Sequence, residues 1–387
     1  MTDHLLVLNA GSSSLKFAVY AIEPPHPAER LAGQVEGIGA TPRLTARDAA
    51  RAPLPTPPAD TVRTHAGAVD LTIDLLHAHL GSGRLAAIGH RVVHGGPDFS
   101  APLRLDPTIR AALQALVPLA PLHQPHNLAG IDAATARFPG VPQVACFDTA
   151  FHRTQPWEAE TFALPPRFYA EGIRRYGFHG LSYEYIARTL AETHPRLAAG
   201  RVIVAHLGNG ASLCAMRAGR SVATTMGFTA LDGIPMGTRS GAIDPGLVLH
   251  LIESRGMTAA EVSHLLYYDS GLKGMSGLSQ DVRALEAANT EPARQALSHF
   301  AYRIRQEIGA LAATLGGLDA LVFTAGIGEN AASVRAHICD GLGFLGIALD
   351  PALNTANAPT ISAGATPVLV IRTDEERMVA LHTLGAL

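Results

Sequence analysis

The sequence predicts an α/β protein built from two similar halves. Three stretches carry that prediction. LLVLNAGSSSLKFAVY (5–20) opens the chain as an apolar run, a Gly/Ser turn and an alternating segment. RVIVAHLGNGASLCAMRAGR (201–220) returns to the same form, and GLDALVFTAGIGENAASVR (317–335) reads as strand, glycine-rich turn and helix. At an offset of 198, about half of the 387 residues, Ser14-Leu15 falls on Ser212-Leu213, which points to an internal duplication. Glycine turns at strand ends place a ligand in the crevice between such halves.

The elements follow in order. Residues 5–20 form a hairpin by alternation about a Gly/Ser turn. The Pro- and Ala-rich tract near 40–66 carries no periodicity and is expected to be a surface loop or short insertion. Helical spacing at 67–80 leads into the apolar strand LAAIGHRVVHGG. A second helix near 107–116 precedes APLHQPHNLAGIDAA, and VPQVACFDTAFH reads as a buried strand with a polar end. In the second half, Thr290 caps a long amphipathic helix with Leu297, Phe300, Ile304, Ile308, Leu311 and Leu315 on one face.

Length favours two or three domains, each with its own core. A formal net charge of -3 gives no electrostatic case for nucleic acid or a membrane surface. No apolar stretch approaches the ~20 residues of a membrane-spanning helix, and no basic region precedes the first apolar run. Cys146, Cys214 and Cys339 lack C-x-x-C spacing, as expected of free thiols in a reducing cytoplasm.

Several short stretches carry chemistry. The first turn is an ordinary hairpin in its Gly and Ser content, but it also keeps Lys16. The chain has 28 Arg and only two Lys, so a compact ammonium is retained here against composition. Backbone N–H groups, the hydroxyls of Ser12, Ser13 and Ser14, and that ammonium make a polyphosphate cradle, although no Walker A loop is present. HLGNG (206–210) and TAGIGEN (324–330) suit further phosphate or nucleotide contacts, or plain βα turns. Arg91 in GHRVVHGG and Arg239 in MGTRSGAIDPG sit among glycines that cannot shield them, which favours anion binding over structural ion pairs. His179 opens a helical pattern in RRYGFHGLSYEYIA, where an imidazolium is disfavoured. His123 and His126 have the spacing of metal ligands but no third partner, and their prolines predict a loop. Asp148 ends a strand, Lys273, Asp281 and Arg283 lie in a polar loop running into a helix, and Glu375 opens a helix after a strand.

Together these motifs resemble the acetate kinase family over essentially the whole length. The matching runs are LVLNAGSSSLK, GHRVVHGG, PHN, FDTAFH, RRYGFHG, HLGNGASL, MGTRSG, SGLKGMSG, FTAGIGEN and the terminal DEE, in family order. The resemblance implies two duplicated RNase H-like lobes of the sugar-kinase, Hsp70 and actin superfold around a nucleotide cleft. Residues 1–148 with 373–387 would form an N-terminal lobe carrying the acetate site, and 149–372 a C-terminal lobe for nucleotide binding and dimerisation. It implies a cytoplasmic homodimer converting ATP and acetate reversibly to ADP and acetyl phosphate with Mg²⁺, or Mn²⁺ in its place. Asn9 and Glu375 would then hold the metal, and Arg91 would bind acetate or acetyl phosphate. Val93, Leu122, His123 and Phe178 would line the acetate pocket. His179 and Arg239 would stabilise the transition state beside the carboxylate of Asp148. Lys16, His206, Leu207, Gly208, Asn209, Gly210, Asp281, Val282, Arg283, Gly326, Ile327, Gly328, Glu329 and Asn330 would bind the nucleotide. Ala230, Gln280 and Asp374 depart from the family pattern, and Ala230 leaves the choice between acetate and propionate open.

The chemistry suits those residue types. Phosphoryl transfer is mostly positioning and charge stabilisation. Two like charges at about 4 Å repel by ~4 kcal/mol at an effective dielectric of 20, which two arginines, a lysine and Mg²⁺ would oppose. A carboxylate acceptor is already ionised at neutral pH and needs no general base, so Asp148 is expected to orient Arg91, a metal-bound water or His179. A nucleotide-gated binding module of the actin or Hsp70 kind is the alternative from another class. It has no need for the cationic set Arg91, His179 and Arg239.

Overall fold

The computed structural model describes residues 3–11, 13–80 and 83–387, the last residue of the second segment by its backbone alone. The chain divides into two compact units, residues 1–150 with 374–387 and residues 151–373.

The first unit is organised on a seven-stranded sheet of order β4-β3-β2-β1-β5-β7-β6. Its strands are β1 (Asp3–Ala10), β2 (Ser14–Ala21), β3 (Ala28–Glu36), β4 (Arg43–Asp48), β5 (Arg84–Val92), β6 (Leu103–Arg104) and β7 (Gln143–Phe147). Strands β1 to β4 form an antiparallel meander, and β5 and β7 join β1 in parallel. The central strands β1 and β7 carry continuous buried apolar runs, residues 5–8 and 144–147, as burial on both faces requires. Helices His65–Leu80, Gln124–Arg137 and Glu375–Gly385 cover them.

The second unit carries a five-stranded sheet of order β10-β9-β8-β11-β12. Its strands are β8 (Arg201–Leu207), β9 (Ala211–Arg217), β10 (Arg220–Thr224), β11 (Ala320–Thr324) and β12 (Val368–Val370). Again three strands form an antiparallel meander and two add in parallel to the first of them. The series β3-β2-β1-β5-β7 is therefore repeated as β10-β9-β8-β11-β12, with β4 and β6 added at the edges of the first sheet. Topology shows the duplication, but the fixed offset does not describe it. The last hairpin pair is Ala10↔Leu15 in one unit and Leu207↔Ala211 in the other, so the second turn is one residue shorter.

Five local expectations change. Within the tract 40–66, Arg43–Asp48 is strand β4, with only Leu44 and Ala46 turned into the core. Such a short alternation among arginines and threonine is easily lost. The prolines near His126 do not make a loop. Pro125 lies in the first turn of the helix Gln124–Arg137, where a missing N–H costs nothing, and His123 is its N-cap. Gly326 and Gly328 lie inside a short helix, Ala325–Asn330, rather than in a turn. Lys273 lies in the helix Gly271–Ser276, with Nζ 2.8 Å from Asp269 Oδ1. Thr290 is the N-cap of Glu291–Leu315 by position, yet its side chain makes no capping bond.

Candidate active site

In the first unit the geometry centres on Arg91, at the end of β5. Its Nε lies 3.0 and 3.1 Å from the two carboxylate oxygens of Asp148, and Nη2 makes a further short contact with Asp148 Oδ2. Nη1 donates to Asn9 Oδ1 at 3.1 Å, and Glu375 Oε2 lies 3.9 Å from Nε. Asp148 is 1% exposed and follows β7 directly, so its carboxylate is fixed by a buried parallel strand. Glu375 opens the helix Glu375–Gly385, which packs tightly on β5. A Cβ on Gly89 would fall 2.2 Å from Thr383 Oγ1, so only glycine permits that approach.

Asn9 pairs across the hairpin with Lys16, which places both side chains on one face of the ladder. Burial pushes the Glu375 carboxyl above the ordinary range, partly opposed by Arg91 and Lys16. The two carboxylates and the amide oxygen of Asn9 are hard oxygen donors of the kind Mg²⁺ takes, and a cation beside Glu375 would offset the cost of ionising it. Among the described residues no group of three or more His, Cys, Asp or Glu is arranged to hold a metal. A Mg²⁺ bound mainly through substrate phosphates and water needs only one or two carboxylates. Ser12, part of the expected cradle, lies outside the described residues, whereas Gly11 N donates to Ser14 O at 2.8 Å.

Asn127, from the PHN run, ties this region together. Its Oδ1 accepts from Val93 N at 2.9 Å and its Nδ2 donates to Ala10 O at 2.6 Å, joining the ends of β5 and β1. The PHN run alone does not reveal these bonds, whose partners lie 34 and 117 positions away. Val93 is buried, and Leu122 and His123 are half-buried just before the helix Gln124–Arg137. Phe178 is buried in the second unit.

The second unit contains a cavity of ≈ 460 Å³ lined by Gly208, Asn209, Gln280, Asp281, Val282, Arg283, Glu286, Gly326, Ile327, Asn330 and Ala331. That volume is within the usual range for small-molecule sites. Eight residues expected to bind nucleotide from three separate motifs converge there. Lys16 belongs to the first unit, and His206, Leu207, Gly210, Gly328 and Glu329 are not among the lining residues. Glu329 Oε1 instead accepts from the N–H groups of Ala325 (2.9 Å) and Thr373 (3.1 Å). Asp281 caps the helix Val282–Ala288 and pairs with Arg283 at 2.7 Å. Gln280, Glu286 and Ala331 also line the cavity and were not expected to bind nucleotide. Helical spacing from Val282 was the available signal for Glu286.

His179 and Arg239 meet at the turn 208–210. A Cβ on Gly210 would lie 3.3 Å from His179 Nε2 and 3.7 Å from Arg239 Nη1. His179 adopts φ 59°, the left-handed region, immediately before the helix Gly180–Thr193. Buried His152 braces that conformation. Its Nε2 lies 2.9 Å from Phe178 O and its Nδ1 2.9 Å from Ser221 Oγ. Arg239 Nη1 donates to the carbonyl of Ala230 at 3.0 Å.

The sequence profile of the acetokinase family matches residues 4–381. An acetate kinase of Nitrobacter hamburgensis is 53% identical, covering 100% of this chain and 96% of that protein. The crystal structure of Porphyromonas gingivalis acetate kinase superposes with a TM-score of 0.88 at 37% identity, covering 99% of each chain. A propionate kinase from Francisella tularensis superposes at 0.92 with 36% identity, covering 100% of each. The two sheets are thus the duplicated α/β halves of the sugar-kinase and actin-like fold, and the chain belongs to the acetokinase family.

Proposed function

We propose that this protein is an acetate kinase, transferring phosphoryl reversibly between ATP and acetate to give ADP and acetyl phosphate. The observation that carries the reading is the half-buried guanidinium of Arg91, held by Asp148 and Asn9. A fixed fork of this kind suits an anionic acceptor that must approach an anionic phosphate. Arg91 would bind the carboxylate or acetyl phosphate, and Asp148 would orient Arg91. Val93, Leu122, His123 and Phe178 would contribute to acetate binding. His179 and Arg239 would hold the transferring phosphoryl oxygens, and the residues lining the second unit's cavity would hold the nucleotide. Lys16 would serve the phosphates.

Asn9 and Glu375 would hold Mg²⁺, which would neutralise charge on the phosphate oxygens. Mn²⁺ suits the same oxygen donors. We assign the first unit to the acceptor and the second to nucleotide and dimer contacts. The homodimer is supported by the helix Pro245–Glu253, which buries none of its residues and exposes Leu247, Leu249 and Ile252. A cytoplasmic location is supported by the burial of Cys146, Cys214 and Cys339, none of them in C-x-x-C spacing. No helix among the described residues is long and apolar enough to cross a membrane.

The reading is tested by incubating the protein with ATP, acetate, Mg²⁺ and hydroxylamine. Acetyl hydroxamate forming in step with ADP supports it, and ADP without hydroxamate overturns it. Propionate kinase is the second reading. It is favoured by the similarity to the Francisella protein and by the small side chain of Ala230 in the loop that holds Arg239.

A further inference from the structure

Two imidazoles of the second unit stack beside the turn 208–210. The ring centroids of His179 and His206 are 4.2 Å apart, with 15° between their planes. Each presents Nδ1 to a fully buried serine. His179 Nδ1 is 2.8 Å from Ser212 Oγ, and His206 Nδ1 is 2.8 Å from Ser182 Oγ. Behind each serine stands a second hydroxyl. Tyr183 Oη lies 2.5 Å from Ser212 Oγ, and Thr373 Oγ1 donates to Ser182 Oγ at 2.8 Å.

A hydroxyl has one hydrogen to give. Ser182 takes the hydrogen of Thr373 on one lone pair and has His206 Nδ1 as an acceptor within reach of its own hydrogen. Tyr183 is the stronger acid of its pair, and burial keeps its phenol protonated, so it is the donor to Ser212, whose own hydrogen has His179 Nδ1 as an acceptor within reach. A ring nitrogen that accepts a hydrogen bond carries no proton, and a neutral imidazole then has its proton on Nε2.

We propose that the Tyr183–Ser212 and Thr373–Ser182 hydroxyl pairs hold His179 and His206 as neutral Nε2–H tautomers, with Ser212 and Ser182 as positioning residues. Both Nε2 atoms lie on the side of the glycine turn. A Cβ on Gly210 would be 3.3 Å from His179 Nε2, and one on Gly208 would be 3.9 Å from His206 Nε2. Two further features favour neutrality. His179 stands at the positive end of a 14-residue helix, and two imidazolium rings at stacking distance would repel each other. His179 then donates a hydrogen bond without exchanging a proton, and Arg239 supplies the positive charge at the same turn.

The tautomers follow from the hydroxyl geometry, whereas their effect on rate rests on the proposed phosphoryl-transfer role of His179. The test separates the two. In ¹⁵N spectra of histidine-labelled full-length protein at neutral pH, signals assigned by loss in His179→Gln and His206→Gln are expected to show bare Nδ1 and protonated Nε2. Nδ1–H or imidazolium signals in the parent protein overturn the proposal. Ser212→Ala is expected to disturb the His179 signals and lower kcat about fivefold, about 1 kcal/mol at 1.36 kcal/mol per decade, as for one neutral hydrogen bond. The KM for ATP should stay within twofold, and Ser212→Thr, which keeps the hydroxyl, should recover the parent spectrum and kcat. Unchanged signals in a folded Ser212→Ala overturn the relay. Disturbed signals with unchanged kcat support the relay and overturn the phosphoryl role of His179.

Discussion

Asp148→Asn removes one charge and keeps the side-chain shape. Arg91 now uses Nε and Nη2 on this carboxylate, and an asparagine offers only one acceptor oxygen and adds donors facing donors. Removing one partner of a fully buried pair costs about 3–5 kcal/mol. Here Glu375 at 3.9 Å and Asn9 at 3.1 Å remain, and Arg91 is 20% exposed, so the loss should be nearer 2 kcal/mol, the scale of one charged hydrogen bond. The larger effect is on rate. A guanidinium displaced by about 1 Å from its working position costs on the order of 10²-fold. Steady-state kinetics of the variant should therefore show kcat/KM for acetate down about 10²-fold. ATP affinity by calorimetry should hold within about twofold, since the cavity proposed for the nucleotide belongs to the other unit. A folded Asp148→Asn protein with kcat/KM within threefold of the parent would refute the reasoning, as would an equal loss of ATP affinity.

Three further predictions concern other parts of the molecule. Lys16→Arg should lower kcat although charge is kept, because a planar fork replaces a point donor beside Asn9; equal turnover would show that the lysine is incidental. Burial pushes His90, His94 and His152 down to about 4 from an ordinary 6.5, so the fold favours their neutral forms. The unfolded chain therefore takes up protons first, and stability present above pH 6.5 is lost as pH falls toward 4, by about 2 kcal/mol per histidine at pH 5. Urea unfolding at pH 7.5 and pH 5 checks this, and equal free energies would contradict it. Ala230→Pro keeps the carbonyl that accepts from Arg239 but stiffens the loop, so it should lower the ratio of propionate to acetate kcat/KM; an unchanged ratio assigns the size limit to other pocket walls.

The residues that announced themselves in sequence were those with chemistry against their local background. A lysine in a chain of arginines, arginines among glycines and a carboxylate ending an apolar strand all needed no long-range information. The structure adds what depends on ladders and tertiary bonds. The pairing of Asn9 with Lys16, the brace from Asn127 to Val93 and Ala10, and the serines behind His179 and His206 involve partners 7 to 191 positions apart. Strand β4 was hidden because two buried side chains, one of them alanine, carry its entire apolar signal. The helix Ala325–Asn330 was hidden by its glycines, whose low helix propensity is offset by Glu329 accepting from Ala325 N and by Asn330 donating to Gly326 O.

The proposed function divides the labour: the acceptor carboxylate would be handled at Arg91 and the nucleotide would sit in the cavity beside Gly326. A side chain at Gly326 would enter open space, since a Cβ there meets nothing within 4 Å, so Gly326→Leu fills the cavity without a packing clash. Calorimetric titration of ATP into Gly326→Leu and Arg91→Ala, with acetate kinetics on both, tests the claim directly. The account predicts ATP binding weakened at least about tenfold in Gly326→Leu with acetate KM within twofold. It predicts the reverse pattern in Arg91→Ala, with kcat/KM for acetate down on the order of 10²–10³-fold. Parent-like ATP binding by folded Gly326→Leu, or parent-like acetate turnover by folded Arg91→Ala, would contradict it.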